Sequence, residues 1–318
     1  MDCQIHHTRR RFLKSAAAAI ALTPIWAHAR SGALANRTWD ISGAEDGTLR
    51  LVFYTDIHAR PQADIAAALK KAADRINATR ADLVLCGGDL IDGGIKMSRR
   101  QASASWNTYG AMNRSIRSET LHCLGNQDLV GVAPSDGSDP EPDPRREFLQ
   151  QTESERTYYS IDAVGYHIVV LDSVEITEGP ATYRGWVSDE QQQWLKADLS
   201  AVPPDRPIVL MLHMPLATTY FAKSKGAASA PPQNRVTVNN RAVLDHFRDR
   251  NLVLVLQGHT HFAEIIHWPR TTFISGGAIC ANWWRGAYHG IEEGFSVLTL
   301  HRDRAEWDYI DYGWQPDQ

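Results

Sequence analysis

Asp82-Leu83-Val84-Leu85-Cys86-Gly87-Gly88-Asp89-Leu90-Ile91-Asp92 has the pattern of a buried strand ending in a carboxylate. Leu83, Val84 and Leu85 form a continuous apolar run, as in a strand covered on both faces. Gly87-Gly88 then permits a sharp turn where something crowds the backbone. Asp89 follows where the strand gives out, and in open α/β sheets ligands bind beyond the carboxyl ends of strands. A Gly-Asp pair after a hydrophobic strand is also a common turn, so this stretch alone leaves both roles open.

The same arrangement recurs at four further places. The run 51–55 leads into Asp56-Ile57-His58, and the run 121–124 into Gly125-Asn126-Gln127-Asp128. Residues 208–212 deliver His213, and residues 252–256 deliver Gly258-His259-Thr260-His261. Five apolar runs therefore end in seven oxygen or imidazole donors: Asp56, His58, Asp89, Asn126, His213, His259 and His261. Between the first two runs, Ile65, Ala68, Leu69, Ala72 and Ile76 recur at helical spacing and predict a β-α-β unit. Residues 98–117 predict a second crossover helix, and Ser188 a cap for a helix over 189–199. Residues 158–161 and 166–171 read as two strands joined at Val164-Gly165. The stretches 129–144 and 217–234 read as loops flanking donor-bearing strand ends. Beyond His261, the short runs 263–268, 271–275, 295–300 and 305–310 predict an antiparallel close to the sheet. The fold class is α/β, with no internal repeat.

A length of 318 residues, 43% hydrophobic and 22% charged, suits one large domain with a sizeable core. The amino terminus is set apart from it. Thr8-Arg9-Arg10-Arg11-Phe12-Leu13-Lys14 precedes a short Ala-rich run and then Ala27-His28-Ala29, the small-x-small pattern of a signal-peptidase site. The paired arginines predict a twin-arginine export signal, set against a basic membrane anchor or an ordinary Sec signal. The run falls short of the roughly 20 residues a transmembrane helix needs, and Cys3 precedes it, unlike a lipoprotein cysteine. The expected organisation is a signal peptide over 1–29 and one domain over 30–318, with the motifs in 49–265 and a β-rich closing segment over 266–318. The expected location is periplasmic or secreted, with the twin-arginine translocase as export partner and no stable membrane insertion. That route carries proteins already folded, which suits a centre loaded with metal beforehand.

Without residues 1–29 the chain keeps 29 basic and 36 acidic residues, a net charge of −7. This argues against nucleic-acid binding, which rests on neutralising phosphates with Lys and Arg. Cys86, Cys123 and Cys280 show no Cys-x-x-Cys spacing, against a zinc knuckle or iron–sulfur site. Cys86 and Cys123 could pair if their strands are neighbours, though buried free thiols are the favoured reading. A redox role is further disfavoured by the lack of a dinucleotide-binding Gly pattern. Asp, Asn and His donors without thiolate suit Mn, Fe, Zn or Co. Seven donors are too many for one tetrahedral zinc and match two divalent or trivalent ions sharing a carboxylate, an arrangement suited to phosphoester hydrolysis by an activated water.

The ordered set Asp56-x-His58, Gly88-Asp89, Gly125-Asn126, His213 and Gly258-His259-x-His261 resembles the calcineurin-like metallophosphoesterase superfamily, over roughly residues 49–265. The resemblance implies a four-layer α/β/β/α sandwich of two mixed sheets and a small phosphoester substrate. It also implies a first metal on Asp56, His58 and His261, with Asp89 bridging to a second on Asn126, His213 and His259. Most members carry His after the Asn of the third block, where it contacts phosphate and protonates the leaving group; here Gln127 stands instead. Gln127 donates hydrogen bonds but cannot titrate, and general-acid help is worth roughly 10²- to 10⁴-fold. The expectation therefore shifts toward diphosphates or activated diesters of nucleotide or lipid head-group type. In its non-His residue the chain is similar to bacterial UDP-diacylglucosamine pyrophosphohydrolases. A phosphomonoesterase, or an exported metal-binding protein with weak or lost hydrolysis, are the alternatives.

Other residues carry two readings each. Asp92 is either a partner that orients a ligand histidine or a turn former. His122 reads as a core histidine and His267 as structural. In 276–286, Trp283, Trp284 and Arg285 are candidate substrate-binding residues, an aromatic platform for a base, sugar or choline, with core packing as the alternative. His289 is an outside candidate for the missing acid.

Overall fold

The computed structural model describes residues 37–45, 47–178 and 182–316, so the expected signal peptide lies outside the described residues. The first half of the chain runs β1 (Arg37–Asp40), β2 (Leu49–Tyr54), α1 (Ala63–Ala78), β3 (Leu83–Cys86), α2 (Arg99–Ser115) and β4 (Thr120–His122). Next come α3 (Arg146–Gln151), β5 (Tyr159–Ala163), β6 (Tyr166–Val170), β7 (Val174–Ile176), β8 (Tyr183–Gly185) and α4 (Asp189–Ser200). The chain continues with β9 (Pro207–Met211), α5 (Tyr220–Lys225), α6 (Asn240–Asp245), β10 (Asn251–Gln257), β11 (Ala263–His267), β12 (Thr272–Gly276), β13 (Gly294–Leu300) and β14 (Arg304–Asp311).

The apolar runs are strands because each has two faces to bury. In β2, Leu51 and Phe53 point one way, into a core shared with Val209, Met211 and Leu254 of the opposite sheet. Val52 and Tyr54 point the other way, onto Ile65 and Leu69 of α1 and Trp106 of α2. A third core packs Val169, Leu210 and Leu212 against Leu195 and Leu199 of α4 and Val243 of α6. Three cores separate four layers, α/β/β/α. The first sheet has the order β1-β14-β13-β2-β3-β4 and the second β11-β12-β10-β9-β6-β5, with β7-β8 as a separate pair. Strands β2, β3 and β4 are parallel, as are β6, β9, β10 and β12, so the carboxyl ends of both central groups open on the same edge of the sandwich.

The closing segment differs from the sequence expectation. Strand β12 pairs parallel to β10, while the β11-β12 and β13-β14 hairpins and the β13-β2 and β1-β14 pairings are antiparallel. The two hairpins serve different sheets, so residues 277–293 must cross from one sheet to the other over the strand ends. The stretch read as a loop over 217–234 contains the short helix α5. The α4 cap is as expected, with Ser188 Oγ accepting from the Gln191 N–H at 3.3 Å. Cys86 and Cys123 are free: their strands are neighbours, but the two side chains belong to opposite faces of the sheet. His122 is a core histidine, its Nε2 2.8 Å from the Tyr109 hydroxyl and its pKa lowered to about 4 by burial.

One buried ion cluster lies away from the strand ends. His167 of β6 sits between Asp162 and Asp198, each 2.8 Å away, which ties the β5-β6 hairpin to α4. Burial opposes its charge, but hydrogen bonds to the two carboxylates outweigh burial and raise the imidazole from 6.5 to about 8. A raised folded-state value means that this stabilisation is complete below the unfolded value and is lost as pH rises through the folded one. Urea unfolding of His167→Gln against the wild type is expected to show a stability gap on the order of 2 kcal/mol at pH 6 that shrinks by pH 9. A gap of the same size at both pH values would show that the clamp does not depend on charge.

Candidate metal centre

Each of the seven donors read from the sequence stands just past a strand end. The fold brings Asp56, Asp89 and the four histidines into one cluster, with Asn126 beside it between Gly125 and Gln127, both of which lie against Asp89. The four histidines share one device. His58 Nδ1 lies 3.1 Å from Asp92 Oδ1, His213 Nδ1 2.8 Å from the Gly87 carbonyl, His259 Nε2 3.0 Å from the Asn234 carbonyl, and His261 Nδ1 2.7 Å from the Ala281 carbonyl. A carbonyl or carboxylate oxygen only accepts, so each imidazole spends its N–H there and turns its other nitrogen inward. The inward nitrogens meet in pairs, His58 Nε2 and His261 Nε2 at 3.0 Å, and His213 Nε2 and His259 Nδ1 at 3.2 Å.

The carboxylates sit between the pairs. Asp89 Oδ2 is 3.6 Å from His58 Nε2 and 3.3 Å from His213 Nε2, while its Oδ1 accepts from the Gln127 N–H at 2.7 Å. Asp56 Oδ1 is 3.4 Å from His261 Nε2, and its Oδ2 accepts from Thr55 Oγ1 and from the His259 N–H. Burial pushes the Asp56 carboxyl up to about 6. Burial also pushes Asp89 upward, but the charge and hydrogen bond of His213 prevail and hold it below the ordinary carboxylate value. In return, His213 is raised to about 9 against its own burial, chiefly by Asp89.

This donor set fits a pair of metal ions. Inward nitrogens at 3.0–3.2 Å, on rings whose other nitrogen is already committed, need a proton or a cation between or beside them. The Asn126 Oδ1 is buried without a hydrogen-bond partner beside the same cluster, an acceptor whose desolvation needs compensation. Three overlapping groups, His58/His261/Cys280, Asp89/His213/His259 and Asp56/His58/Asp89, each hold donor atoms within 4.8 Å of one another. Cys280 faces the wrong side of its group: its Sγ is 3.7 Å from His261 Nδ1, the nitrogen already committed to Ala281. Burial also keeps its thiol well above the usual range.

Holding so many polar side chains this close strains the backbone. Asp56, His58, Asp89, His259 and His261 all adopt left-handed conformations, at φ from 45° to 70°, which cost about 1–3 kcal/mol each and cluster at functional sites. The two sheets nearly touch at Gly258, where a Cβ would overlap Thr55 Oγ1, and at Gly88, where it would stand 2.8 Å from His213 Nδ1.

The model of the calcineurin-like phosphoesterase family matches residues 49–263. This chain belongs to that family. The phosphoesterase fold is similar to a dimetal phosphatase from Danio rerio (TM-score 0.57, 15% identity, 83% of this chain and 96% of that one). It is also similar to GAP50, the anchor in the inner membrane complex of Plasmodium (TM-score 0.55, 12% identity, 84% and 85%). A purple acid phosphatase from yellow lupin is a third (TM-score 0.54, 15% identity, 83% of this chain but 52% of that one). At these identities the likeness is one of fold. No curated protein sequence matches the chain.

The remaining candidates fall at different distances from the cluster of this phosphoesterase. Gln127 belongs to it through its N–H, while its side-chain oxygen accepts from the Gly93 N–H at 2.9 Å. Trp283 lies on the His261 ring, centroids 4.1 Å apart and nearly parallel. Trp284 does not form a platform: it is buried, and its indole N–H donates to the His58 carbonyl at 2.9 Å. Arg285 is exposed and its guanidinium turns back onto the Asn282 carbonyl. His289 is exposed and packs edge-on against Tyr288, which in turn meets His261 of the cluster. Three participants escaped the sequence reading. Asp128 accepts backbone N–H groups from Asp89, Leu90, Ile91 and Gly125, which locks the turns after β3 and β4 together. Tyr183 of β8 and Arg235 lie within electrostatic reach of Asp89 and His259 respectively. Of these, only Asp128 carried a signal, as the last residue of the Gly125 block.

Asp92 holds His58 and is itself held by Arg60 at 2.9 Å. Asp92→Ala frees the ring to rotate, and is expected to weaken metal binding about 10- to 100-fold in a titration of metal-stripped protein. Wild-type affinity in that variant would remove Asp92 from the centre.

Proposed function

We propose that this metal-dependent phosphoester hydrolase is a dinuclear enzyme acting on diphosphates or activated phosphodiesters, of nucleotide or lipid head-group type. The observation that carries the reading is the pairing of four tethered imidazoles on either side of Asp89 Oδ2. In this reading Asp56, His58 and His261 hold one ion, Asn126, His213 and His259 the other, and Asp89 spans both. A metal pair there supplies Lewis acidity, drawing charge from phosphoryl oxygens and making water acidic enough to attack phosphorus near neutral pH.

The chain's own groups decide which leaving group suits the site. Gln127 uses its carbonyl oxygen on Gly93 and keeps its amide N–H groups for an oxygen of the substrate. It has no proton to give up. A leaving group that is already a stable anion, such as the phosphate of a diphosphate, departs without that proton. A monoester of an ordinary alcohol needs it. The exposed His289 packs on Tyr288, which in turn meets His261, so it serves as an acid only toward a leaving group that extends past that ring. Export by the twin-arginine route, to the periplasm or beyond, is part of the same proposal and rests on Arg9, Arg10 and the Ala27-His28-Ala29 site.

Metal-stripped protein reloaded with Mn²⁺ is expected to hydrolyse bis-p-nitrophenyl phosphate faster than p-nitrophenyl phosphate, and Asp89→Asn to lose both activities. Faster monoester cleavage would make it a phosphomonoesterase. Metal uptake with silence on these and on diphosphates would leave a metal-binding protein. Gln127→His is expected to raise the rate on alkyl monoesters by about 10²-fold or more while barely changing diphosphate hydrolysis. Equal effects on the two substrate classes would sink the leaving-group argument.

A further inference from the structure

The segment that crosses between the sheets, residues 277–293, is bound down at its start and carries a row of rings beside the metal-ligand cluster. Its Ile279 N–H donates to the Thr55 carbonyl at 3.0 Å, its Ala281 carbonyl takes the His261 N–H, and Trp284 reaches under it to His58. Ala281, Trp283, Trp284 and His289 all have left-handed backbone, at φ between 42° and 66°. A loop needed only to join two strands would have little reason to hold four such residues.

What the loop presents is a wall of rings leading away from the cluster. Trp283 lies flat on His261, and Tyr288 meets Trp283 edge-on with centroids 5.8 Å apart. Tyr288 is in turn fixed by a 2.6 Å hydrogen bond between its hydroxyl and that of Tyr220 on α5. Trp283, Tyr288 and Tyr220 are all partly exposed, so the wall faces solvent next to the place where phosphorus would sit.

Two cations stand near the wall. Lys223 Nζ lies 4.5 Å from the centre of the Phe262 ring beside His289. Arg235 is exposed, and its backbone neighbour Asn234 is tied to His259, which places it at the rim of the cluster. Its charge reaches Tyr288 and Tyr183 as well as His259. Glu264, next to this region in sequence, is buried and taken up by Thr218, Thr219 and Ser275. A quaternary ammonium such as choline is drawn to aromatic faces, but Lys223 over the neighbouring Phe262 ring and Arg235 at the rim bring like charge to this side of the cluster. A planar group bearing negative charge meets stacking surface and positive charge together.

We propose that Trp283, Tyr288 and Arg235 form the leaving-group subsite of this centre, and that its occupant is a nucleoside phosphate rather than a choline or glycerol head group. The proposal rests on reading the cluster as a phosphoester hydrolase centre. The base stacks on the Trp283–Tyr288 wall and Arg235 holds phosphate oxygens at the rim.

The test is equilibrium binding to the Mn²⁺-loaded protein by calorimetry, with AMP, glycerol 3-phosphate, phosphocholine and orthophosphate as probes. AMP is expected to bind at least about tenfold more tightly than glycerol 3-phosphate, the size of one base-stacking contact. Tyr288→Ala is expected to erase most of that gap, and Arg235→Ala to weaken all four probes. Bound metal and melting temperature are measured on every variant. If Tyr288→Ala loses its metal, Tyr288→Leu is judged by the same criterion, and the wild-type ranking stands as a test by itself. AMP no tighter than glycerol 3-phosphate, phosphocholine the tightest probe, or a gap that survives removal of the Tyr288 ring would each overturn the subsite. Tight AMP binding without turnover of any diester, monoester or diphosphate would uphold it while overturning the hydrolase.

Discussion

The structure depends on the burial of four imidazoles, two carboxylates and an amide against one another. Every one of these groups loses water on folding, and an unpaired buried polar group costs several kcal/mol. The protein offsets that cost at the outer edge of the cluster. Each histidine gives one nitrogen to an oxygen of Asp92, Gly87, Asn234 or Ala281, and Asp89 and Asp56 take backbone N–H groups from Gln127 and His259. What stays unsatisfied points to the middle, and that residue of unspent bonding capacity is what a pair of cations would take up. The flatness of the tethering partners matters too: three of the four are main-chain carbonyls, which no side-chain rotation can withdraw.

Two sheets are needed because one cannot crowd so many donors together. The first sheet delivers Asp56, His58, Asp89 and Asn126, and the second His213, His259 and His261. They come together where Gly88 faces His213 and where Gly258 faces Thr55, and the left-handed turns after the strands aim the donors inward. Asp and His tolerate that backbone better than branched residues do, so the residue types that bind cations are also types that bear this strain.

Much of this was legible in the chain. A strand buried on both faces must be apolar throughout, so each donor is announced by the run before it, as Asp89 is by Leu83 to Leu85. Helix α1 was largely legible, since Ile65, Ala68, Leu69, Ala72 and Ile76 keep a helical period, and of its buried side Ala73 alone went unread. Other features were hidden for physical reasons. The tethering carbonyls are backbone atoms that every residue possesses. Trp283 and Trp284 are neighbours of identical chemistry, yet one lies over a histidine ring and the other is buried beneath it, and only the left-handed turns at both decide which. Tyr183 and Arg235 sit on a three-residue strand and an irregular segment, neither of which has a period to read. Strand β12 runs parallel to β10 because of where the chain enters, which its own five residues do not record.

The position of β13 has a consequence for how the molecule comes into being. It lies in the middle of the first sheet, between β14 and β2, although it is synthesised after every donor in the cluster. Until it arrives, β2 presents a bare hydrogen-bonding edge, the kind of surface that invites intermolecular pairing, and the crossing segment that fixes His261 has nowhere to anchor. A ribosome that has already released all seven donors has therefore not yet released a working cluster. Completion waits on a hairpin that contributes no donor of its own, so a chain broken off after His261 would carry all seven donors without the strand that closes the sheet beside them.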